Sequence, residues 1–227
     1  MSANSAFLKS SLAKKYWMAA TGLFLCLFLL GHLAGNLQLF NLTEEGRLMF
    51  NEYALFMTTN PAVKILSYVT YISILFHAAD GIALTIKNKK ARPVNYVYNK
   101  PSANSAWSSR NMGVLGTIML AFIVTHMAGF WYTMHWGELG VDANGNRDLY
   151  EAVMVSFQEL WYVALYVVCM VAIGFHLYHG FKSAFQSLGL NHKKYNGKIQ
   201  AVGKAYSIIV PALFAAIPVV IYISTAL

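Results

Sequence analysis

The feature that most constrains this chain is a run of 28 residues, from Tyr16 to Thr43, that contains no Asp, Glu, Lys or Arg. At a rise of about 1.5 Å per residue, a helix of this length crosses a bilayer. His32 lies inside the run, and an ionisable residue at membrane depth is by default a candidate for function. The run therefore predicts a membrane-spanning helix that carries a functional histidine.

The composition indicates an integral membrane protein. Of the 227 residues, 57% are hydrophobic and 11% are charged, which departs from the composition of soluble domains. The net charge of +8 could indicate a nucleic-acid partner, but the basic residues lie in short stretches between apolar runs, so we expect no nucleic acid. Cys26 and Cys169 lie in separate apolar runs without the spacing of a disulfide or metal motif, and we expect them to be packing residues.

Five long apolar runs predict an all-α integral membrane protein with a single transmembrane domain over residues 1–227. We expect the first four helices to form a four-helix bundle, with the fifth helix flanking it. The first run is too long for the core of a signal peptide and lacks a clear cleavage site, so we expect it to be retained as a helix. The predicted helices cover about 16–40, 62–86, 111–136, 155–181 and 205–227.

The basic residues predict how these helices cross the membrane. Fourteen of the 17 Lys and Arg residues lie before the first helix, between the second and third, or between the fourth and fifth; the other three are Arg47, Lys64 and Arg147. The positive-inside rule therefore places the N-terminus in the cytoplasm, and five crossings place the C-terminus outside. The sequence predicts a multi-pass protein surrounded by membrane lipid.

Two histidines lie at the same depth near the outer face. His32 is 17 residues after Lys15, and His126 is 16 residues after Arg110. At about 1.5 Å per residue, both lie roughly 24 to 25 Å from the inner boundary. We call His32 and His126 the outer pair.

Two further histidines lie nearer the inner face. His77 is ten residues before Lys87, and His176 is six residues before Lys182, which places them roughly 15 and 9 Å from the inner boundary. We call His77 and His176 the inner pair. One chain therefore offers two histidine pairs, separated across the membrane by roughly 10 to 15 Å.

The paired histidines favour two haem b groups. A low-spin haem binds one imidazole on each axial side and needs an apolar slot with small residues where its faces approach the backbone. A zinc or non-haem site would need three or more ligands at one depth, usually with carboxylates, and Asp80 is the only carboxylate deep inside a predicted span. A lone membrane histidine can equally be a hydrogen-bond donor between helices, but four at two matched depths favour haem. A glycine that would leave room for a haem face follows each histidine by about one turn: Gly35, Gly129, Gly81 and Gly180.

His179 competes with His176 because it lies one turn further along the same predicted helix. His176 lies deeper and has a glycine four residues on, so we assign it as the iron ligand. His179 lies about 4.5 Å from the boundary at Lys182 by helical rise, where it would contact a haem propionate or water. His135 and His192 lie at a helix end and in a loop, and we expect them to be solvated.

The sequence resembles the diheme cytochrome b membrane-anchor subunit of succinate:quinone oxidoreductases, in the five-helix, single-subunit form found in succinate dehydrogenases and quinol:fumarate reductases. The resemblance covers nearly the whole chain, and its most specific part is the string from Gly180 to Gly189. The other stretches that carry it are Leu29-Leu30-Gly31-His32-Leu33 in the first helix, Phe76-His77-Ala78 with Gly81 in the second, His126 in the third and Phe175-His176 in the fourth.

The resemblance implies that His32 and His126 bind the distal haem, and that His77 and His176 bind the proximal haem. It also implies a bacterial cytoplasmic (inner) membrane and two partners on its cytoplasmic face. These are a flavoprotein subunit, which interconverts succinate and fumarate, and an iron-sulfur subunit. The chain would then be an enzyme subunit that transfers electrons to or from menaquinone or another quinone. Some members carry a glutamate for a proton route two residues before the fourth-helix ligand, but Gly174 stands there in this chain.

A second haem near the outer face predicts that quinone reacts there, far from the iron-sulfur subunit. Quinone chemistry needs a proton donor or acceptor, and the outer segment before the second helix supplies Glu44, Glu45 and Glu52. Glu52 lies nearest to an apolar stretch, so we expect it to be the catalytic group. Two other functions stay open: the cytochrome b subunit of a hydrogenase or formate dehydrogenase, and a transporter with a histidine proton relay.

Overall fold

A computed structural model describes residues 10–91 and 100–226. Within these ranges the chain is helical and contains no strand. Five helices are long and apolar enough to cross a membrane, so the predicted fold class, an all-α integral membrane protein with five transmembrane helices, is confirmed. Part of the predicted basic segments, at residues 1–9 and 92–99, lies outside the described residues. We call the five helices spans 1 to 5: Ser11–Phe40, Pro61–Lys90, Met112–Trp136, Leu160–Ser187 and Lys193–Thr225.

Spans 1 to 4 form a bundle, and span 5 packs on its outside. Span 1 packs against spans 2 and 4, span 3 packs against spans 4 and 2, and span 5 packs mainly against span 4 and also against span 1. Span 1 is an α-helix, Ser11–Asn36, that ends in a 3-10 turn, Leu37–Phe40. Span 4 lies at the centre, where Cys169, Ile173 and Leu177 belong to the buried core.

Two shorter helices connect spans on the side away from most of the lysines. We call Glu44–Thr59 the first connecting helix and Leu149–Ser156 the second connecting helix. The prediction that the fourth transmembrane helix begins at about 155 is wrong, because the chain leaves the second connecting helix at Ser156 and begins span 4 at Leu160. The apolar residues next to this break between the two helices pack into the core instead of facing lipid. They are Tyr150, Val153, Met154 and Phe157.

The spans extend beyond the apolar runs at the end that carries most of the basic residues, which we call the basic end. Span 2 continues to Lys90 instead of residue 86, and span 5 begins at Lys193 instead of residue 205. Hydropathy marks only the apolar part of a helix, and lysines can continue the helix beyond it. In span 2 the lysines lie in the last turn, where they interact favourably with the helix dipole. Span 4 also continues past residue 181 and ends at Ser187, and the positive φ of 77° at Gly189 closes the helix end.

Gly174 allows spans 4 and 5 to approach closely. Pro211 in span 5 has no N–H to donate to the carbonyl of Ser207, four residues earlier. A Cβ at Gly174 would lie 3.1 Å from that carbonyl oxygen and 3.9 Å from the Pro211 ring. A larger side chain at this position would therefore push the two spans apart.

A buried polar cluster, which we call the clasp, joins the first connecting helix to the segment before span 4. Asn51 is fully buried and donates to Asp142 at 3.2 Å and to Asp148 at 2.9 Å. Its side-chain oxygen accepts from the Tyr150 N–H at 2.9 Å. Arg47 donates to Asp148 through Nε at 2.9 Å and forms a second, shorter contact through its guanidinium. Asp142 and Asp148 are thus structural rather than solvated.

The clasp perturbs the ionisation of its charged members. Burial raises the pKa of Asp148, but hydrogen bonds from Arg47, from Asn51 and from the Glu151 backbone outweigh it and hold the pKa below the ordinary aspartate value. The same hydrogen bond to Asp148 raises the pKa of Arg47. Both groups are therefore held in their charged forms in the folded protein.

Candidate functional site

The outer pair is brought together inside an aromatic enclosure. The ring centroids of His32 and His126 lie 5.7 Å apart, with the ring planes at 88°. Phe28 stacks on His32 at 5.5 Å, and Phe214 from span 5 lies 5.6 Å from it. Phe122 stacks on His126 at 5.7 Å. Spans 1 and 3 therefore present two imidazoles to each other in an apolar setting.

The inner pair is brought together in the same way by spans 2 and 4. The ring centroids of His77 and His176 lie 6.1 Å apart, with the planes at 60°. The structure thus joins the histidines in the combination that their depths predict, and not across the two levels.

Both separations suit an iron held between two imidazoles. A bond between a metal and an imidazole nitrogen is about 2 Å long, and the ring centre lies about 1 Å further, so axial ligands have centroids roughly 6 Å apart. Within residues 10–91 and 100–226, no group of three or more His, Cys, Asp or Glu side chains converges. The donor set is therefore two imidazoles at each level, which suits axial haem ligation better than a structural zinc site.

Thr21 fixes which nitrogen of His77 is free. The Thr21 hydroxyl donates its hydrogen to the Trp17 carbonyl at 2.7 Å, and it lies 3.2 Å from Nδ1 of His77. With its hydrogen on that carbonyl, the Thr21 hydroxyl can accept a hydrogen bond from Nδ1 of His77. Gly22 makes the approach possible, because a Cβ there would lie 3.1 Å from Cε1 of His77. Nε2 of the neutral ring then carries no hydrogen and can bind iron.

His176 has no hydrogen bond that would explain it as a link between helices. Its Nδ1 is buried and has no partner among the described residues. A buried polar atom without a partner costs about 1 to 3 kcal/mol, and Nδ1 of His176 makes no hydrogen bond to another described helix. His179 is half-buried one turn further on, and the ring that faces His77 is that of His176. Beside Gly180 there is open space, since a Cβ would have only the His176 ring at 4.0 Å.

Tyr166, in span 4, contacts the His126 ring of the outer pair. Its hydroxyl lies 3.1 Å from Nδ1 of His126 and 3.3 Å from the hydroxyl of Tyr162. His32 has a weaker neighbour, since the amide nitrogen of Asn36 lies 3.4 Å from its Nδ1 and bonds chiefly to its carbonyl at 2.8 Å.

Tyrosines lie against the glycines beside the outer pair. A Cβ at Gly35 would overlap the ring of Tyr53, and one at Gly129 would lie 2.8 Å from the Tyr162 hydroxyl. Beside Gly81, by contrast, a Cβ would meet only a methionine methyl group at 3.7 Å. At the outer level tyrosine side chains take the space beside Gly35 and Gly129, and the role of the four glycines in haem packing stays a prediction.

A π-helical segment follows His126 directly. It covers Met127–Tyr132 inside span 3. Its wide turn changes the α-helical spacing on which the prediction for Gly129 rests, and it brings Phe130 within 5.7 Å of the His126 ring. π-helical segments are rare in proteins, and those that do occur are frequently found at functional sites.

Glu52, the predicted quinone residue, is exposed on the first connecting helix. Its neighbours Asn51 and Tyr53 face inward, the first into the clasp and the second onto Gly35 of span 1. The part of this helix that touches span 1 near the outer pair is therefore Tyr53. The role of Glu52 in quinone chemistry stays a prediction.

The residues that contact Nδ1 of the histidines, Thr21 and Tyr166, were not predicted from the sequence. Their depth could have indicated them: Thr21 is six residues after Lys15, at the level of the inner pair, and Tyr166 is 16 residues before Lys182, at the level of the outer pair. Depth alone does not single them out, because many apolar and hydroxyl residues share each level.

Comparison of the chain with protein-family models, with curated proteins and with solved structures found no match. The arrangement of the histidines and the resemblance in their sequence motifs are therefore the support for the function proposed below.

Proposed function

We propose that this protein is the membrane-anchor cytochrome b subunit of a succinate dehydrogenase or fumarate reductase, and that it transfers electrons between an iron-sulfur subunit and membrane quinone. The observation that carries the proposal is the double pairing of histidines from four different spans, with ring centroids 5.7 and 6.1 Å apart at two depths. The motif resemblance supplies the identity of the complex.

The histidines would each hold an iron from one axial side. His32 and His126 would bind the distal haem b, and His77 and His176 the proximal haem b. Bound haem supplies reversible one-electron transfer at a potential set by its surroundings. The chain's part is to present neutral imidazoles with a free nitrogen, as Thr21 does for His77, and to keep both pairs in an apolar setting.

The partners would dock at the basic end. The turns there carry lysines and arginine beyond the apolar parts of the spans, among them Lys87, Lys182 and Lys193, and the positive-inside rule assigns that end to the cytoplasm of a bacterium. The iron-sulfur subunit would contact this end and the flavoprotein subunit would carry out the dicarboxylate chemistry. Quinone would react near the outer pair, with Glu52 as its proton donor or acceptor.

A reduced-minus-oxidised absorption spectrum of the purified chain tests the proposal. We expect a b-type signal and two haems per chain, and co-expression with the partner subunits should give succinate-dependent quinone reduction. A chain that folds in the membrane but shows no b-type signal would refute the proposal.

A further inference from the structure

We propose that Tyr166 is a positioning residue for His126. It accepts the Nδ1 hydrogen of that ring and donates its own hydrogen to Tyr162, which leaves Nε2 as the nitrogen available to iron. The assignment of Nε2 to iron and the choice of hydrogen-bond direction both rest on the proposed function.

The geometry provides a chain of three groups. Nδ1 of His126 lies 3.1 Å from the Tyr166 hydroxyl, which lies 3.3 Å from the Tyr162 hydroxyl. Tyr166 is only 6% exposed and is packed between Phe122 and Phe157, at 4.9 and 5.0 Å between ring centroids. A buried hydroxyl needs partners, and these two neighbours are the ones that it has.

Such a chain can run in two directions. In one, His126 donates to Tyr166 and Tyr166 donates to Tyr162. In the other, Tyr162 donates to Tyr166 and Tyr166 donates to Nδ1, so that the single hydrogen of the neutral imidazole lies on Nε2. Only the first direction leaves Nε2 with a free lone pair, which a metal-binding histidine needs.

The two levels differ in how this direction is set. At the inner level the Trp17 carbonyl can take the Thr21 hydrogen, which leaves Thr21 to accept from His77. At the outer level no backbone carbonyl among the described residues accepts from Tyr166, so in the proposed direction Tyr162 takes its hydrogen. Tyr162 therefore influences His126 through Tyr166.

Redox titration of the full-length protein tests the positioning role. The variants are Tyr166→Phe and Tyr162→Phe, and the control is Tyr206→Phe, whose hydroxyl donates to the Cys26 carbonyl at 2.6 Å. Loss of the hydrogen bond from Nδ1 makes the imidazole a weaker electron donor, so we expect a positive shift in the midpoint potential of the outer haem with Tyr166→Phe. Tyr162→Phe should shift the same haem less. Unchanged outer potential in both variants, or an equal shift in Tyr206→Phe, would overturn the proposal.

Nitrogen NMR of the chain with labelled histidine decides the direction independently of haem. The His126 signal is identified by its loss in His126→Gln. We expect its hydrogen on Nδ1 in the wild type, and a move towards Nε2 in Tyr162→Phe, because Tyr166 then has only Nδ1 to donate to. A hydrogen on Nε2 in the wild type would contradict the proposal. Protein that binds no haem would refute the proposed function, and the NMR result would still decide this inference.

Discussion

The paired histidines differ in what lies beside Nδ1. The Thr21 hydroxyl lies 3.2 Å from that of His77, the Tyr166 hydroxyl 3.1 Å from that of His126, and the Asn36 amide 3.4 Å from that of His32. Nδ1 of His176 is buried and has no partner among the described residues. Hydrogen bonds to this nitrogen orient a ligating ring and raise its basicity. The four residues are therefore chemically distinct, even though their sequence contexts are alike.

The pairing predicts which haem each substitution removes. His126→Ala should abolish the outer haem and keep the inner one, because each iron loses an axial ligand only at its own level. His77→Ala should do the reverse. The two spectral components in a reduced-minus-oxidised spectrum measure this, and His179→Ala is the matched control that should retain both. If His126→Ala and His77→Ala removed the same component, the pairing would be wrong.

The depth of each histidine could be predicted because helical rise is nearly constant. The rotation of each helix about its own axis could not be predicted from the sequence. Whether Tyr166 or a neighbour faces His126 depends on how spans 3 and 4 turn towards each other, and the π-helical segment at Met127–Tyr132 alters that rotation without a distinctive sequence signal. For the same reason the alternation of Asn51, Glu52 and Tyr53 between inward and outward positions was not evident.

Substitution tests the proposed role of Glu52 in quinone chemistry. If it exchanges protons with quinone near the outer pair, Glu52→Gln should lower the rate of quinone turnover about a hundredfold or more, in the range expected for loss of a general acid or base. Glu45→Gln removes an exposed carboxylate from the same helix and should leave turnover unchanged. Both haems should be retained in both variants. Equal turnover in the two variants would show that Glu52 is only a solvated residue.

The first connecting helix is held by two different contacts, with Tyr53 on span 1 and the clasp on the segment before span 4. Its existence was not predicted, because its polar composition resembles a loop and its stability comes from these tertiary contacts. The element therefore covers the outer side of the bundle as a fixed structure.

Gly35 tests how closely this helix approaches span 1. Gly35→Ala places a methyl group against the Tyr53 ring, so we expect a loss of about 1 to 3 kcal/mol in stability. Gly31→Ala is the matched control, because nothing lies within 4 Å of its Cβ and alanine favours a helix by up to about 1 kcal/mol. Thermal unfolding in detergent measures both. In a Tyr53→Ala background the cost of Gly35→Ala should disappear, and a cost that persists there would place its cause elsewhere.

The clasp predicts a dependence of stability on pH. The folded-state pKa of Asp148 lies below its ordinary value, so its contribution is complete above the unfolded value of about 4 and is lost as the pH falls through the folded value. Asp148→Asn should cost about 2 kcal/mol at pH 7 and should flatten this acid dependence. Glu138→Gln, at an exposed residue of the same segment, should change neither. Unfolding curves from pH 3 to 8 decide between these outcomes.

The whole molecule is asymmetric across the membrane. One end extends as lysine-rich helical turns, and the other is covered by the two connecting helices and the clasp. An electron that moves between the inner and outer pairs would therefore cross part of the membrane potential, at about 2.3 kcal/mol per charge for each 100 mV for a full crossing. Which end faces the cytoplasm decides the sign of that work.

Cysteine labelling in whole cells measures this orientation. Cys26 and Cys169 both lie within spans, so an added exposed cysteine reports its own side. Ser102 is exposed at the basic end, and Ala143 is exposed at the opposite end. Because fourteen of the 17 basic residues belong to the basic end, we expect Ser102→Cys to react with a membrane-impermeant thiol reagent only after the cells are opened, and Ala143→Cys to react in intact cells. The reverse pattern would invert the topology and move the proposed quinone site to the cytoplasmic side.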